Sequence, residues 1–391
     1  MNAVPRTVWA LGAVSLCMDL SSEMVHGLLP LFLTGVLGAG MVAVGIVEGI
    51  AEATASIVKV FSGALSDRLA RRKPLVVLGY ALAALSKPLF PLASSVPLVL
   101  FARFADRIGK GIRGAPRDAL IADVTPPALR GTAYGLRQAL DTVGAVLGPL
   151  AAVGLMLLLA DDIRRVLWVA VLPAIAAVTV LVLFVREPAR GHAPGRAPNP
   201  LSRAALGSLG ARYWSIVALG AVLTLARFSE AFLILRAQEL GVALALVPLV
   251  LVVMNLVYTA VSYPAGVAAD RGHRRALLVW GIAALIAADL AIGASASVAG
   301  LAAGIVLWGA HMGLTQGLLS TLVADAAPAA LRGTAFGVFH LVSGAALLVA
   351  SVLAGALWSA YGAGATFFAG AAFCAVALAG LLAMSGRRKQ G

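Results

Sequence analysis

The sequence predicts an all-α membrane protein made of two six-helix bundles related by a pseudo-twofold axis along the membrane normal. Three observations predict it. Of 391 residues, 61% are hydrophobic and 12% charged, whereas a soluble domain carries about 25% charged residues. Long apolar segments recur from end to end. A fourteen-residue motif occurs twice, 202 positions apart.

The apolar segments read as 8–34, 41–62, 74–94, 97–118, 131–158, 164–185, 213–235, 244–266, 276–295, 297–323, 333–358 and 363–384. Most reach the roughly 20 residues that a spanning helix needs. A soluble fold would have to hide all of them in one core, and single cores stop growing at about 250–300 residues. Forty-two glycines suit close helix contact in lipid. Arg6 followed by WALGAVSLCM resembles the start of a signal peptide. Asp19 and Glu23 interrupt the apolar run and no small-residue cleavage site is clear, so a retained first helix is expected.

Twelve spans place both termini on one side. Loops on that side carry Arg6, Arg68, Arg71, Arg72, Lys73, Arg130, Arg186, Arg190, Arg196, Arg203, Arg212, Arg271, Arg274, Arg275, Arg332, Arg387, Arg388 and Lys389. The opposite loops carry Arg164, Arg165 and Arg236. This bias puts both termini in the cytoplasm, in a bacterial inner membrane. It also accounts for the net charge of +13, so no nucleic-acid partner is expected. Cys17 and Cys374 lie far apart in apolar segments, which suggests neither a disulfide framework nor a metal site. No cofactor is expected. Residues 186–212 are rich in Pro, Gly, Arg and Ala, a linker composition that would sit against anionic lipid. The expected domains are therefore 1–185, a cytoplasmic linker 186–212, and 213–391.

The repeat is the sharpest signal. Residues 122–135 (ADVTPPALRGTAYG) and 324–337 (ADAAPAALRGTAFG) agree at ten of fourteen positions. Gly63, Asp67, Arg68, Arg71 and Arg72 recur as Gly266, Asp270, Arg271, Arg274 and Arg275 at an offset of 203. Two motifs at nearly one offset mean a duplicated six-helix unit, and an even number of spans per copy makes the repeats parallel.

The pattern G-x3-D-R-x2-R-R between spans two and three resembles the signature loop of the major facilitator superfamily, here in both halves. RFADRIGKG from Arg103 resembles that family's fourth-helix motif, and Asp123 stands where many members carry an acid. The resemblance implies a monomeric secondary transporter of a small molecule that alternates access by rocking its two bundles. It also implies a cytoplasmic charge cluster of Asp67, Arg71 and Asp123, with Gly63, Arg68, Gly266, Asp270, Arg271 and Arg274 in the gating loops. Their other reading is as topology signals alone.

Ionisable residues inside the spans each cost roughly 2.5–3.5 kcal/mol on insertion scales. Span four carries Arg103, Asp106, Arg107, Lys110, Arg113 and Arg117, within an arc of about 140°. Such a stripe must face water, substrate or partner acids. Arg113 and Arg117 lie towards the cytoplasmic end, where snorkelling is a competing explanation. Helical spacing aligns Asp19, Glu23 and His26 on span one, Glu48, Glu52 and Lys59 on span two, and Arg137 with Asp141 on span five. By the family analogy these faces converge on a central cavity. The carboxylates Asp19, Glu23, Glu48, Glu52 and Asp141 are candidates for proton coupling, with static salt bridges as the alternative.

The second half is sparser: Arg227 and Glu230 on span seven, Asn255 and Tyr258 on span eight, His311 and Gln316 on span ten, His340 on span eleven. Lys87 and Asp289 lie on spans expected at the periphery and receive no role. Gly144-x3-Gly148-Pro149 resembles the span-five motif of proton-coupled antiporters in the family, though Ala152 and Val153 replace expected glycines; small residues also serve plain packing. Three functions stand: proton-coupled efflux, import or facilitated passage of an anionic metabolite, and a receptor without transport. Catalysis is not expected, since neither a metal-spaced His/Cys cluster nor a phosphate-cradling glycine loop is present.

Overall fold

The computed structural model describes residues 4–68, 71–126, 129–187, 206–328 and 331–386. These are helical, with no strand among them. The helices are α1 (Arg6–Leu31), α2 (Met41–Arg68), α3 (Lys73–Ser86), α4 (Leu89–Leu92), α5 (Val96–Val124), α6 (Arg130–Leu158), α7 (Ile163–Val169) and α8 (Val171–Phe184). They continue as α9 (Ala211–Ala226), α10 (Ala231–Glu239), α11 (Leu249–Ala268), α12 (Arg274–Ala294), α13 (Val298–Ala326), α14 (Arg332–Tyr361) and α15 (Ala363–Gly386). Spans three, six and seven are each split in two, as α3–α4, α7–α8 and α9–α10.

Among the described residues, eleven spans are long and apolar enough to cross a bilayer, and α5 is not among them. Its polar stripe lowers its hydropathy, so partners on other helices must satisfy it. The chain is a multi-pass membrane protein.

Its contacts divide into two compact units. The first is Met1–Leu37, Ile50–Asn199 and Leu244–Leu249; the second is Gly38–Gly49, Pro200–Ala243 and Val250–Gly391. The opening turns of α2 thus group with the second unit, where Gly45 and Gly49 pack on the backbone of α14 at Ser351 and Leu348. Of the expected linker, residues 188–205 lie outside the described residues, while Leu209 is buried in the second unit's core with Tyr213, Val323 and Ala335.

In the first unit α1 packs on α6, and α3 on α5. Absent side chains set the spacing. A methyl group on Gly109 would meet the Ala83 amide nitrogen at 2.9 Å, and one on Gly79 the Arg113 amide at 2.7 Å. On α6, a methyl group on Gly144 would meet Asp19 Cβ at 3.0 Å, and one on Gly148 would meet Glu23 Cβ at 2.6 Å. The core below holds Val8, Leu11, Val14, Met18, Val76, Tyr80, Leu120 and Leu181. Helix α1 loosens into a π turn at Phe32–Val36 just after Pro30, which lacks an N–H to continue the ladder. Thr34 Oγ1 donates to the Pro30 carbonyl there at 2.9 Å.

The second unit has an aromatic core. Phe228 lies edge-on to Phe232, Trp308 and Phe367 at 5.4–5.6 Å, and Trp358 stands beside Phe232. All five are buried, so they form packing rather than a lining. Span seven breaks after Ala226 at Arg227 (φ −107°, ψ 75°). The break is held by Ser229, whose amide donates to Ser351 Oγ at 3.3 Å and whose Oγ accepts from the Ala231 amide.

Candidate functional site

The charges of the first unit fall into two networks joined along α5. The inner one centres on Asp106. Lys87 Nζ donates to Asp106 Oδ1 at 2.9 Å and to Ser22 Oγ at 3.0 Å, with the two charged side chains 1% and 3% exposed. Arg107 Nε is 3.8 Å from Asp106 Oδ2, and Arg107 Nη1 is 3.4 Å from Glu52 Oε1. Arg103 Nη2 shares a hydrogen bond with His26 Nδ1 at 3.0 Å. Spans two to four therefore meet through ion pairs and span one joins them through hydrogen bonds, the arrangement that desolvated charges require.

The outer network centres on Arg117. Its Nη1 donates to Ser15 Oγ (2.8 Å) and to the Tyr80 hydroxyl (3.3 Å). Its Nε pairs with Asp118 at 3.2 Å, and Asp141 stands 4.0 Å away. Arg137 pairs with Asp141 one turn along α6 and lies 4.0 Å from Asp118. The Arg113 guanidinium sits 4.6 Å above the Tyr80 ring, a cation–π contact. Arg113 and Arg117 are buried, 4% and 8% exposed. They turn inward instead of snorkelling.

Against this pairing, three groups stand apart. Asp19 and Glu23 are half-buried, and no described residue forms an ion pair or hydrogen bond with either carboxylate. Asp19 is nevertheless within electrostatic reach of Lys110, Arg113, Arg117 and Asp141. Lys110 is exposed although it lies in the middle of a stripe whose other members are buried, and no described acid pairs with it. Packing against Gly144 and Gly148 of span five fixes the Cβ stems of Asp19 and Glu23. Glu48, one turn before Glu52, is fully buried on the part of α2 that groups with the second unit.

At the loop between spans two and three it is Arg72, not Arg71, that reaches Asp123, at 3.0 Å. Arg72 Nη1 also donates to Ser66 Oγ, and the Arg72 and Lys73 amides donate to the Glu187 carboxylate at 2.6 and 2.9 Å. Arg71 is exposed. The side chains of Asp67, Arg68 and Asp270 lie outside the described residues. Gly63 touches Ala115 at 3.4 Å from where its own methyl would be, and Gly266 is open. Arg271 is exposed, and Arg274 Nε donates to the Ala269 carbonyl at 3.4 Å.

In the second unit the polar candidates lie around the break in span seven and on α11, α13 and α14. Arg227 and Glu230 flank the break in span seven, half-buried. His311 Nδ1 bonds to the Gly281 carbonyl at 2.7 Å and so ties α13 to α12. Gln316 and Asn255 are half-buried, and His340 stacks on Phe336. Sequence reasoning left Lys87 unexplained and passed over Tyr80, Ser15, Ser22 and Glu187. A lysine deep in one span and an aspartate deep in the next carried the signal for the first pair. The others depend on which helices become neighbours.

The comparisons agree with this architecture. The family described as Major Facilitator Superfamily matches residues 11–236 and 218–390. An MFS-type transporter of Methanocaldococcus jannaschii, MJ1317, is 33% identical over 362 residues, covering 90% of this chain and 88% of its own. The multidrug resistance protein MdtH of Proteus mirabilis is 34% identical over 133 residues, 34% of this chain and 32% of its own. Among solved structures, a bacterial homologue of the human lysosomal transporter Spinster superposes with a TM-score of 0.75 at 18% identity over 97% of each chain. A POT family transporter reaches 0.81 at 13% identity, over 99% of this chain and 96% of its own. Twin loop motifs, a charged fourth span and a relative matched along nearly its whole length lead to one conclusion: the chain belongs to the major facilitator superfamily of membrane transporters.

Proposed function

We propose that this transporter exports a small organic molecule in exchange for protons. The observation that carries the reading is the pair Asp19 and Glu23, two half-buried carboxylates on α1 left without an ion-pair partner while nearly every neighbouring charge has one. A carboxylate so placed gains most from a proton when its surroundings are dry and loses it when water or a cation approaches. Alternating access supplies those two settings. A proton gradient drives the cycle with about 1.36 kcal/mol per pH unit, and the membrane potential adds roughly 2.3 kcal/mol per charge per 100 mV. The partial likeness to a multidrug resistance protein favours outward transport. The charge bias of the loops supports an inner-membrane protein with both termini cytoplasmic.

The test is substrate-stimulated proton movement in proteoliposomes under an imposed pH gradient. Asp19→Asn combined with Glu23→Gln should abolish gradient-driven transport and leave downhill exchange measurable. Full activity of the double variant at every pH would sink the reading.

A second reading is supported by Lys110, which lies exposed and unpaired on the cationic stripe. An anionic metabolite docking there would make the protein an importer or facilitator. Lys110→Gln should then weaken binding of that substrate, and a measured preference for neutral or cationic compounds would remove this reading.

A further inference from the structure

Asp289 lies in the C-terminal half of α12, fully buried. Neither carboxyl oxygen has a hydrogen-bond partner, and no described cation pairs with it. It faces the absent side chain of Gly370 on α15. A methyl group there would stand 2.5 Å from Asp289 Oδ2, 3.2 Å from Asp289 Cγ and 3.1 Å from the carbonyl oxygen of Ala226. The carboxyl and that carbonyl thus border one small hollow. Ala226 is the last residue of α9, where span seven breaks, so its carbonyl belongs to the helix end that looks for outside donors.

We propose that Asp289 is a proton-binding site, and that its bound proton joins the carboxyl to the Ala226 carbonyl and latches the break in span seven. The chemistry comes from the two partners. A carbonyl only accepts, and an ionised carboxylate only accepts; a protonated carboxyl donates. An unpaired carboxylate in this hollow would bear a heavy desolvation cost at the negative end of a helix dipole. Loss of the proton therefore replaces one hydrogen bond by a repulsion, and α9 and α10 are freed to move about Arg227.

The titratable and charged groups around the hollow are few. Cys374, one turn beyond Gly370, is within electrostatic reach of both Asp289 and Arg227. Arg227 and Glu230 belong to the break itself, and Tyr258 on α11 is within reach of Arg227. From α13, His311 is engaged two turns away at Gly281. The site is independent of Asp19 and Glu23 and does not rest on the direction or coupling of transport.

Infrared difference spectroscopy tests the proton, on the full chain in lipid bilayers. Wild type minus Asp289→Asn at neutral pH should show a carboxylic acid carbonyl stretch that shifts on deuteration and is lost in the variant. Hydrogen exchange tests the latch. Amides of residues 227–234 in wild type should exchange faster at alkaline pH than intrinsic chemistry predicts. Asp289→Asn should abolish that excess, because an asparagine amide donates at any pH. Should that variant fail to fold, Gly370→Ala replaces it: its methyl parts the carboxyl from the Ala226 carbonyl, so the acid stretch should move to higher wavenumber and exchange should rise at every pH. Carboxylate bands in place of the acid band, or pH-dependent exchange unchanged in the variant, would overturn the proposal.

Discussion

Lys87 and Asp106 meet at 2.9 Å in the interior of the first unit, with the Ser22 hydroxyl as the third member of the group. Neither side chain has water to fall back on. Removing one partner strands the other, and a stranded buried charge costs about 3–5 kcal/mol. Lys87→Met and Asp106→Leu should each lower the unfolding midpoint in detergent sharply. The double variant should recover much of the loss, since an apolar pair of similar volume is often neutral. A double variant no better than the worse single one would show that Asp106 serves Arg107 more than Lys87.

The loop between spans two and three separates two adjacent arginines. Arg72 is bound to Asp123 and Ser66, and Arg71 is exposed. Arg72→Ala should cost ~1.5–3 kcal/mol, the range for hydrogen bonds to charged groups, and should slow transport by shifting the balance of conformations. Arg71→Ala should stay within about 0.5 kcal/mol of wild type, as surface substitutions do. Thermal unfolding and initial transport rates of the two variants check both statements.

Tyr80 serves two arginines by different means. Tyr80→Phe removes the hydroxyl from Arg117 and Ser15 and keeps the ring under Arg113, at a cost of about 1 kcal/mol. Tyr80→Leu removes the ring as well and should cost a further ~0.5–2 kcal/mol. Equal stability of the two variants would mean that the stack contributes nothing.

Glycine substitutions on α6 should differ by position. Gly148→Ala would drive a methyl into Glu23 Cβ and the Leu20 carbonyl, at 2.6 and 2.9 Å, and overpacking of this kind costs roughly 1–3 kcal/mol. Gly154 has nothing within 4 Å, so Gly154→Ala should be neutral or stabilise by about 0.5–1 kcal/mol through helix propensity. Unfolding midpoints measured side by side decide this.

The fold was legible because the membrane makes sequence blunt: apolar length, basic loops and the two copies of ALRGTA left little choice of architecture. The stripe of α5 was legible too, since helical spacing alone aligns Arg103, Asp106, Arg107 and Arg117. Pairing was not. Whether Asp106 meets Lys87 or an arginine depends on which helices are neighbours and at what depth, and spacing within one helix holds no such information. The same limit explains Arg72: four consecutive basic positions look alike until one of them finds Ser66 and Asp123. It also explains why the lone Asp289 gave no reading before Gly370 was seen opposite it.

The charges of α5 bear on how the chain enters the membrane at all. This helix is too polar to partition into lipid unaided, yet the groups that neutralise it on α1, α2 and α3 are synthesised earlier. Ser15, Ser22, His26, Glu52, Tyr80 and Lys87 are already waiting when Val96–Val124 emerges from the ribosome, while Arg137 and Asp141 come later. Insertion of the fourth span is thereby a cooperative act of its predecessors. A nascent chain stopped just past Thr125 should integrate it, while the same segment fused behind an unrelated anchor should slip back into water.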